Sequence, residues 1–390
     1  MDSVVFRGAT VYGPDQTIPN GELRIRGGRI ESVGPQRDRS GSNKVVELPP
    51  TYSILPGMID MHIHGTSGAD TMDGTPEALQ RITSALPREG TTAFLATTIT
   101  QSESSIDEAL INIARWRQAP EQEGAEILGV HLEGPFLSHK RAGAQPLDAI
   151  LPPSLERFQR WQNLSNDSIR LVTLAPELPG ALELIQYLKK TGVVASIGHS
   201  DATYDETVQG FQSGVTHATH LFNGMRGLHH REPGVVGAVL LHPEVYAELI
   251  VDGFHSRPEM IRLAFQCKSE RRLVLITDAM RAKCMPEGTY ELGGQEVRVQ
   301  DGQALLPNGT LAGSILRMCD AVQNMLQYTD CTLRHIIAMT AENPSRELGV
   351  DHRKGSLAPG KDADFIVLDE NLELVMTYCR GKQSYHREEG

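Results

Sequence analysis

Six side chains of metal-ligand type each follow a short apolar run and precede a loop. They are His62 and His64 in IDMHIHG, Glu133 in GVHLEGPF, His199 in ASIGHSD, His220 in THATHLFNGM and Asp278 in LVLITDAM. Four imidazoles and two carboxylates suit one or two divalent transition metals, with zinc, iron, cobalt and manganese all compatible. Residues two apart on a strand share a face, so His62 and His64 can point the same way. Glu133 can ligate one metal or bridge two. Asp278 is the candidate acid–base residue. A divalent metal lowers the pKa of bound water, and the resulting hydroxide can attack an amide carbonyl. A carboxylate at that place orients the water, accepts its proton and passes it to the departing amine. His131 is read as core or as a supporting partner, and His217 as structural.

Eight apolar runs must position these groups: MIDMHIHG, TTAFLATT, EILGVHLEG, IRLVTLAP, VVASIGHS, VTHATHLF, YAELIVDGF and RLVLITDA. Helical patterns lie between most of them. Thr75-Pro76 opens one that ends before Gly90, a capping box at Ser105 and Glu108 opens a second, and Pro179-Gly180 opens a third that stops at Gly192. Strands alternating with helices imply a parallel sheet, and eight is the closing number of a barrel, whose catalytic side chains gather at the C-terminal strand ends. The first 54 residues and the last 32 are β-rich and broken by Gly and Pro. The expected fold is therefore α/β: a (β/α)8 TIM-type barrel over 55–358, with a small β-sandwich domain built from 1–54 and 359–390. A Gly-punctuated meander follows the eighth strand, and two further helical stretches are expected near 314–328 and 332–348.

A net charge of −12 without a basic run argues against nucleic acid as a partner. No apolar stretch reaches the roughly 18–20 residues a membrane span needs. The first residues, MDSVVFRGATVYG, do not read as a signal peptide. Five cysteines without metal-type spacing read as reduced thiols, so a cytoplasmic location is expected.

Taken in order, PGMIDMHIHG, GTTAFLATT, HLEGPF, RAGAQP, GHSDA, THLFNGM, REPG, DGFHS, ITDAM, GTLAGS and GKDADFIVLD resemble the amidohydrolase superfamily and, within it, the N-acetylglucosamine-6-phosphate deacetylase family. The resemblance implies hydrolysis of the N-acetyl group of N-acetyl-D-glucosamine 6-phosphate to acetate and D-glucosamine 6-phosphate, in amino-sugar catabolism and recycling. Many amidohydrolases carry a carbamylated lysine on the fourth strand. IRLVTLAPE has no lysine, and the resemblance implies that Glu133 on the third strand takes that place. Because His62 and His64 are both present, the resemblance implies two metals, one among His62, His64, Glu133 and Asp278, the other among Glu133, His199 and His220.

The same resemblance implies a sugar-phosphate partner and a homodimer. Asn223 and the backbone of Gly224 would touch substrate; the family usually has Ala at Gly224. Arg231 would bind phosphate in the partner subunit's site. His255 would close the seventh strand and contact the sugar phosphate. Gln145, where other members carry histidine, would be a further substrate contact, and Lys140 and Arg141 would add positive potential. The alternatives are a deacetylase for another sugar phosphate such as the galactosamine epimer, an amidohydrolase for an uncharged amide, and an inactive scaffold.

Overall fold

The computed structural model describes residues 3–36, 44–119 and 122–388. Parts of the expected terminal domain, residues 1–2, 37–43 and 389–390, lie outside them. Eight strands form one parallel sheet: β1 (Met58–Ile63), β2 (Thr91–Thr98), β3 (Glu126–Glu133), β4 (Ile169–Leu174), β5 (Val194–Ile197), β6 (Val215–Ala218), β7 (Tyr246–Ile250) and β8 (Leu273–Ile276). Each pairs with its sequence neighbour. The eight apolar runs of the sequence supply these strands, and the pattern is buried along nearly all of β1, β2 and β3.

The barrel closes between β8 and β1 just beyond the strand ends. Ile63 bridges Ala279 in parallel, Asp278 N–H donates to His62 O at 2.8 Å, and His64 N–H donates to Ala279 O at 2.9 Å. Asp60 ties the same seam. Its Oδ2 accepts from Thr277 Oγ1 at 2.6 Å, and its Oδ1 accepts from the backbone of His62. Burial raises the Asp60 carboxyl to about 6, against the pull of Lys283 and Thr277.

The helices obey local signals. Thr75 caps Pro76–Ala85 by accepting from Ala78 N–H, and a short 3-10 turn carries the chain on to Gly90 in the left-handed region. Gly180 and Gly192 bracket Ala181–Thr191. The second helix begins earlier than the expected box at Ser105. Ser102 is its cap, accepting from Ser105 N–H at 3.2 Å, and the helix runs Glu103–Gln118. The stretch expected to be helical from 314 starts only at Met318. Ser314 is occupied elsewhere: its N–H donates to Asp278 O at 2.7 Å and its hydroxyl to Thr277 O, which fixes the end of β8.

Both chain ends build two further sheets. One holds Ser3–Arg7, Gly21–Arg26, Arg29–Pro35 and Lys44–Glu47. The other joins Thr10–Tyr12, Thr17–Ile18 and Ser53–Pro56 to the C-terminal Phe365–Leu368, Leu374–Cys379 and Lys382–His386. The strand Ser53–Pro56 straddles the border expected at 54/55. Phe6, Phe365 and Tyr378 pack together at the centre of this region. A partly buried ionic cluster ties it to the barrel at the start of β3. Arg353 donates to Glu126 at 2.6 and 2.9 Å, and Lys354 bonds Glu126 at 2.8 Å and also pairs with Asp364, which precedes Phe365. No helix among the described residues is long and apolar enough to cross a membrane.

Candidate metal centre

All six ligand-type residues converge at the C-terminal mouth of the barrel. His62 lies on β1 and His64 just past it, Glu133 ends β3, and His199, His220 and Asp278 each sit two residues beyond their strands. The last three adopt φ of +46°, +33° and +48°. Side chains other than glycine rarely hold such angles, at a cost of about 1–3 kcal/mol each. Local hydrogen bonds hold them there. His199 O accepts from Ser138 N–H, His220 N–H donates to Glu248 Oε2, and Asp278 is bonded on both sides, to His62 and Ser314.

Three groups have ligand atoms within 4.8 Å of one another; two are triads of the six residues, His62, His64 and Asp278, and Glu133, His199 and His220, and the third joins His62 to His131 and Glu248. His64 Nε2 and His62 Nε2 lie 3.2 and 3.4 Å from Asp278 Oδ1. Glu133 stands between the triads. Its Oε1 is 3.2 Å from the Nε2 atoms of both His199 and His220, and its Oε2 is 3.4 Å from His64 Nε2.

The donor chemistry fits a cation. His199 Nδ1 lies 2.9 Å from Arg141 O, and His220 Nδ1 lies 3.0 Å from Asn223 O. Carbonyls only accept, so both Nδ1 atoms carry the proton. In the neutral rings both Nε2 atoms then present lone pairs, and they are 3.0 Å apart. A positive ion between them removes that repulsion. His62 Nε2 is buried without a hydrogen-bond partner, while its Nδ1 is held 3.0 Å from Glu248 Oε2. This is the arrangement in which an outer partner fixes the tautomer and turns the other nitrogen to a metal. Electrostatics agree. Burial lowers the pKa of His62, but Asp278, Glu133 and Glu248 outweigh it and hold the ring well above its ordinary value. Burial raises Glu133, but His62, His199 and His220 pull it well below the usual carboxylate range.

Beyond the ligand atoms lies a cavity of about 260 Å³. It is lined by Gln145, Asn223, Gly224 and His255 together with His64, Glu133, His199, His220 and Asp278. His255 lies in the loop five residues past β7 rather than at its end, because Asp252 folds that loop back. Asp252 accepts from the His255 backbone at 2.8 Å and holds its Nδ1 at 2.6 Å. Gly224 has φ +59°, and a methyl group there would lie 2.9 Å from His199 Nδ1, so an alanine at this position requires a shift of this loop. Gln145 is buried and uses both ends of its carboxamide inside the protein. Arg231 is exposed, bonds its neighbours His229 and His230 among the described residues, and does not line the cavity of its own chain. Asp201 pairs with Lys140, Arg141 and Arg226, so one carboxylate faces three cations and the group keeps a net positive charge.

The sequence reading missed Glu248. It bonds His62 with one oxygen and His217 Nε2 with the other at 3.2 Å, and His217 Nδ1 pairs in turn with Glu347. The signal was present, since Glu248 is a single carboxylate inside the apolar strand YAELI. His131 Nε2 bonds Thr173 Oγ1 at 2.7 Å, on the strand where a lysine is absent.

Residues 53–383 match the amidohydrolase family. The chain is 45% identical over 386 residues to the N-acetylglucosamine-6-phosphate deacetylase of Bacillus subtilis strain 168, covering 98% of both chains. It is 38% identical over 380 residues to the N-acetylgalactosamine-6-phosphate deacetylase of Escherichia coli O157:H7, covering 97% of this chain and 98% of that one. Among solved structures, a variant N-acetyl-D-glucosamine-6-phosphate deacetylase from Mycobacterium smegmatis, in complex with N-acetyl-D-glucosamine-6-phosphate, superposes with a TM-score of 0.92 at 31% identity, over 98% of this chain and 100% of that one. The chain belongs to the amidohydrolase family and, within it, to the N-acetylglucosamine-6-phosphate deacetylases. It is an amide hydrolase, and its buried imidazole and carboxylate cluster suits a divalent metal.

Proposed function

We propose that this enzyme hydrolyses the N-acetyl group of N-acetyl-D-glucosamine 6-phosphate to D-glucosamine 6-phosphate and acetate, in amino-sugar catabolism and recycling. The observation that carries the reading is the pair of ligand triads joined by Glu133 at the mouth of the barrel. The high identity to the Bacillus subtilis deacetylase supports the choice of substrate.

His62, His64 and Asp278 with Glu133 would hold one metal, and Glu133, His199 and His220 a second. Zinc, iron, cobalt and manganese all suit such ligands. When bound, the metal supplies Lewis acidity and lowers the pKa of water. The protein's part is to place and move the proton. Asp278 is the general base toward the attacking water and then the general acid toward the departing amine. Asn223, the Gly224 backbone and His255 orient the sugar phosphate in the cavity. Arg231 reaches the phosphate in the partner subunit's site of a homodimer, which accords with its exposure outside its own cavity. The catalytic barrel spans 55–358 with the β-sandwich domain formed by 1–54 and 359–390, and the enzyme works in the cytoplasm.

The test is acetate release from N-acetyl-D-glucosamine 6-phosphate by protein stripped with chelator and then titrated with metal. Metal-dependent release supports the proposal, and bound metal without release contradicts it. The 38% identity to a galactosamine-type deacetylase favours measuring both epimers side by side. Faster turnover of the galactosamine epimer would transfer the assignment to that substrate.

A further inference from the structure

Gln145 sits against Glu133 rather than facing the cavity with a free carboxamide. Its Oε1 accepts from Thr100 N–H at 2.9 Å, and its Nε2 donates to Glu133 Oε2 at 2.8 Å. The two contacts fix the amide orientation without ambiguity. A backbone N–H can only donate, so the oxygen must face Thr100. An ionised carboxylate can only accept, so the nitrogen must face Glu133. The side chain is buried, so these bonds are made away from bulk water.

The plane of Glu133 matters because its two oxygens face different groups. Oε1 lies 3.2 Å from His199 and His220 and 3.5 Å from His62, and Oε2 lies 3.4 Å from His64. The terminal torsion of a glutamate is soft and roughly two-fold, so its own rotamer preference does not set that plane. A twist of this torsion would take Oε2 away from the His62, His64 and Asp278 set. Gln145 Nε2 at 2.8 Å is nearer to Oε2 than His64 Nε2 at 3.4 Å, while imidazoles surround Oε1.

We propose that Gln145 is a positioning residue for Glu133, holding its carboxylate plane so that one oxygen serves each triad and the His62, His64 and Asp278 position can be filled. This rests on the metal reading given above and deepens it. Only one N–H of Gln145 remains for substrate, so its chief contribution is to metal retention.

The experiment compares wild type with Gln145→Leu, which keeps the approximate volume and removes both hydrogen bonds. The readouts are metals per chain by elemental analysis and metal affinity by chelator competition, with folding checked by circular dichroism. KM and kcat are measured on the same samples. Loss of an outer hydrogen bond to a ligand costs ~10–100-fold in metal affinity. The expected result is that loss, confined to one of the two metals. Gln145→His, whose ring N–H can also donate to Glu133, should restore affinity to within a few-fold. If the Leu protein does not fold, the unbranched Gln145→Met provides the same comparison. Wild-type metal number and affinity with only a raised KM would make Gln145 a substrate contact and overturn the inference alone. A wild-type protein that takes up no metal would overturn the metal reading, and this inference with it.

Discussion

His62 Nδ1 lies 3.0 Å from Glu248 Oε2, and both side chains are fully buried. The other Glu248 oxygen takes His217 Nε2, so one carboxylate serves two imidazoles. A carboxamide offers one acceptor where two are needed. Glu248→Gln should therefore weaken metal binding by ~10–100-fold, the usual cost of disturbing a partner behind a metal-ligating histidine. Chelator competition on the folded variant measures this, and unchanged affinity would remove Glu248 from the account.

Gly224 tests how tightly the second triad is built. Gly224→Ala brings a methyl to 2.9 Å from His199 Nδ1 on a backbone at φ +59°. The strain should cost about 1–3 kcal/mol. A lowered melting temperature together with reduced metal retention is expected. A variant as stable and as well metallated as wild type would show that the loop shifts at no cost.

In the proposed homodimer, the role of Arg231 depends on a second copy. Arg231→Ala should raise KM for the phosphorylated substrate by ~10–100-fold, the worth of one charge-assisted hydrogen bond, with a smaller effect on kcat. Mixing Arg231→Ala with Asp278→Asn subunits should restore activity. In a mixed dimer the site with an intact Asp278 receives an intact Arg231 from its partner. No recovery on mixing would confine Arg231 to its own subunit or to the surface.

Glu126 gives a pH dependence unrelated to the metal site. Burial raises its carboxyl, but Arg353 and Lys354 outweigh burial and bring it to about 2, from an ordinary value of 4.5. A depressed folded pKa means the ionised group stabilises the fold fully above about pH 4.5, and that contribution is lost as pH falls toward 2. Between pH 5 and pH 3, wild type should lose stability more steeply than Glu126→Gln in denaturant titrations. Parallel losses would show that the cluster joining the terminal sheets to β3 does not titrate in this window.

The barrel was legible because each strand is a bounded apolar run and each ligand-type residue follows one. His62, His64, Glu133, His199, His220 and Asp278 could be picked out by that position alone. What could not be read was three-dimensional. The left-handed backbone of His199, His220 and Asp278 has no glycine to announce it. Ser314 resembled a helix start but bonds the end of β8. Glu248 could be seen as an odd carboxylate in an apolar strand, yet its partner His62 is 186 residues away. The resemblance makes Gln145 a substrate contact, and it does line the cavity, but its bonds to Thr100 and Glu133 depend on distances that no sequence carries.

The most direct test of the central claim is turnover of N-acetyl-D-glucosamine 6-phosphate by Asp278→Asn protein carrying the same metal content as wild type. Asparagine keeps the shape and an oxygen at the position but cannot take the proton. The account predicts that metal is retained while acetate release falls by ~10²–10⁴-fold, the usual contribution of a general base. Acetate release within a few-fold of wild type at equal metal content would contradict it.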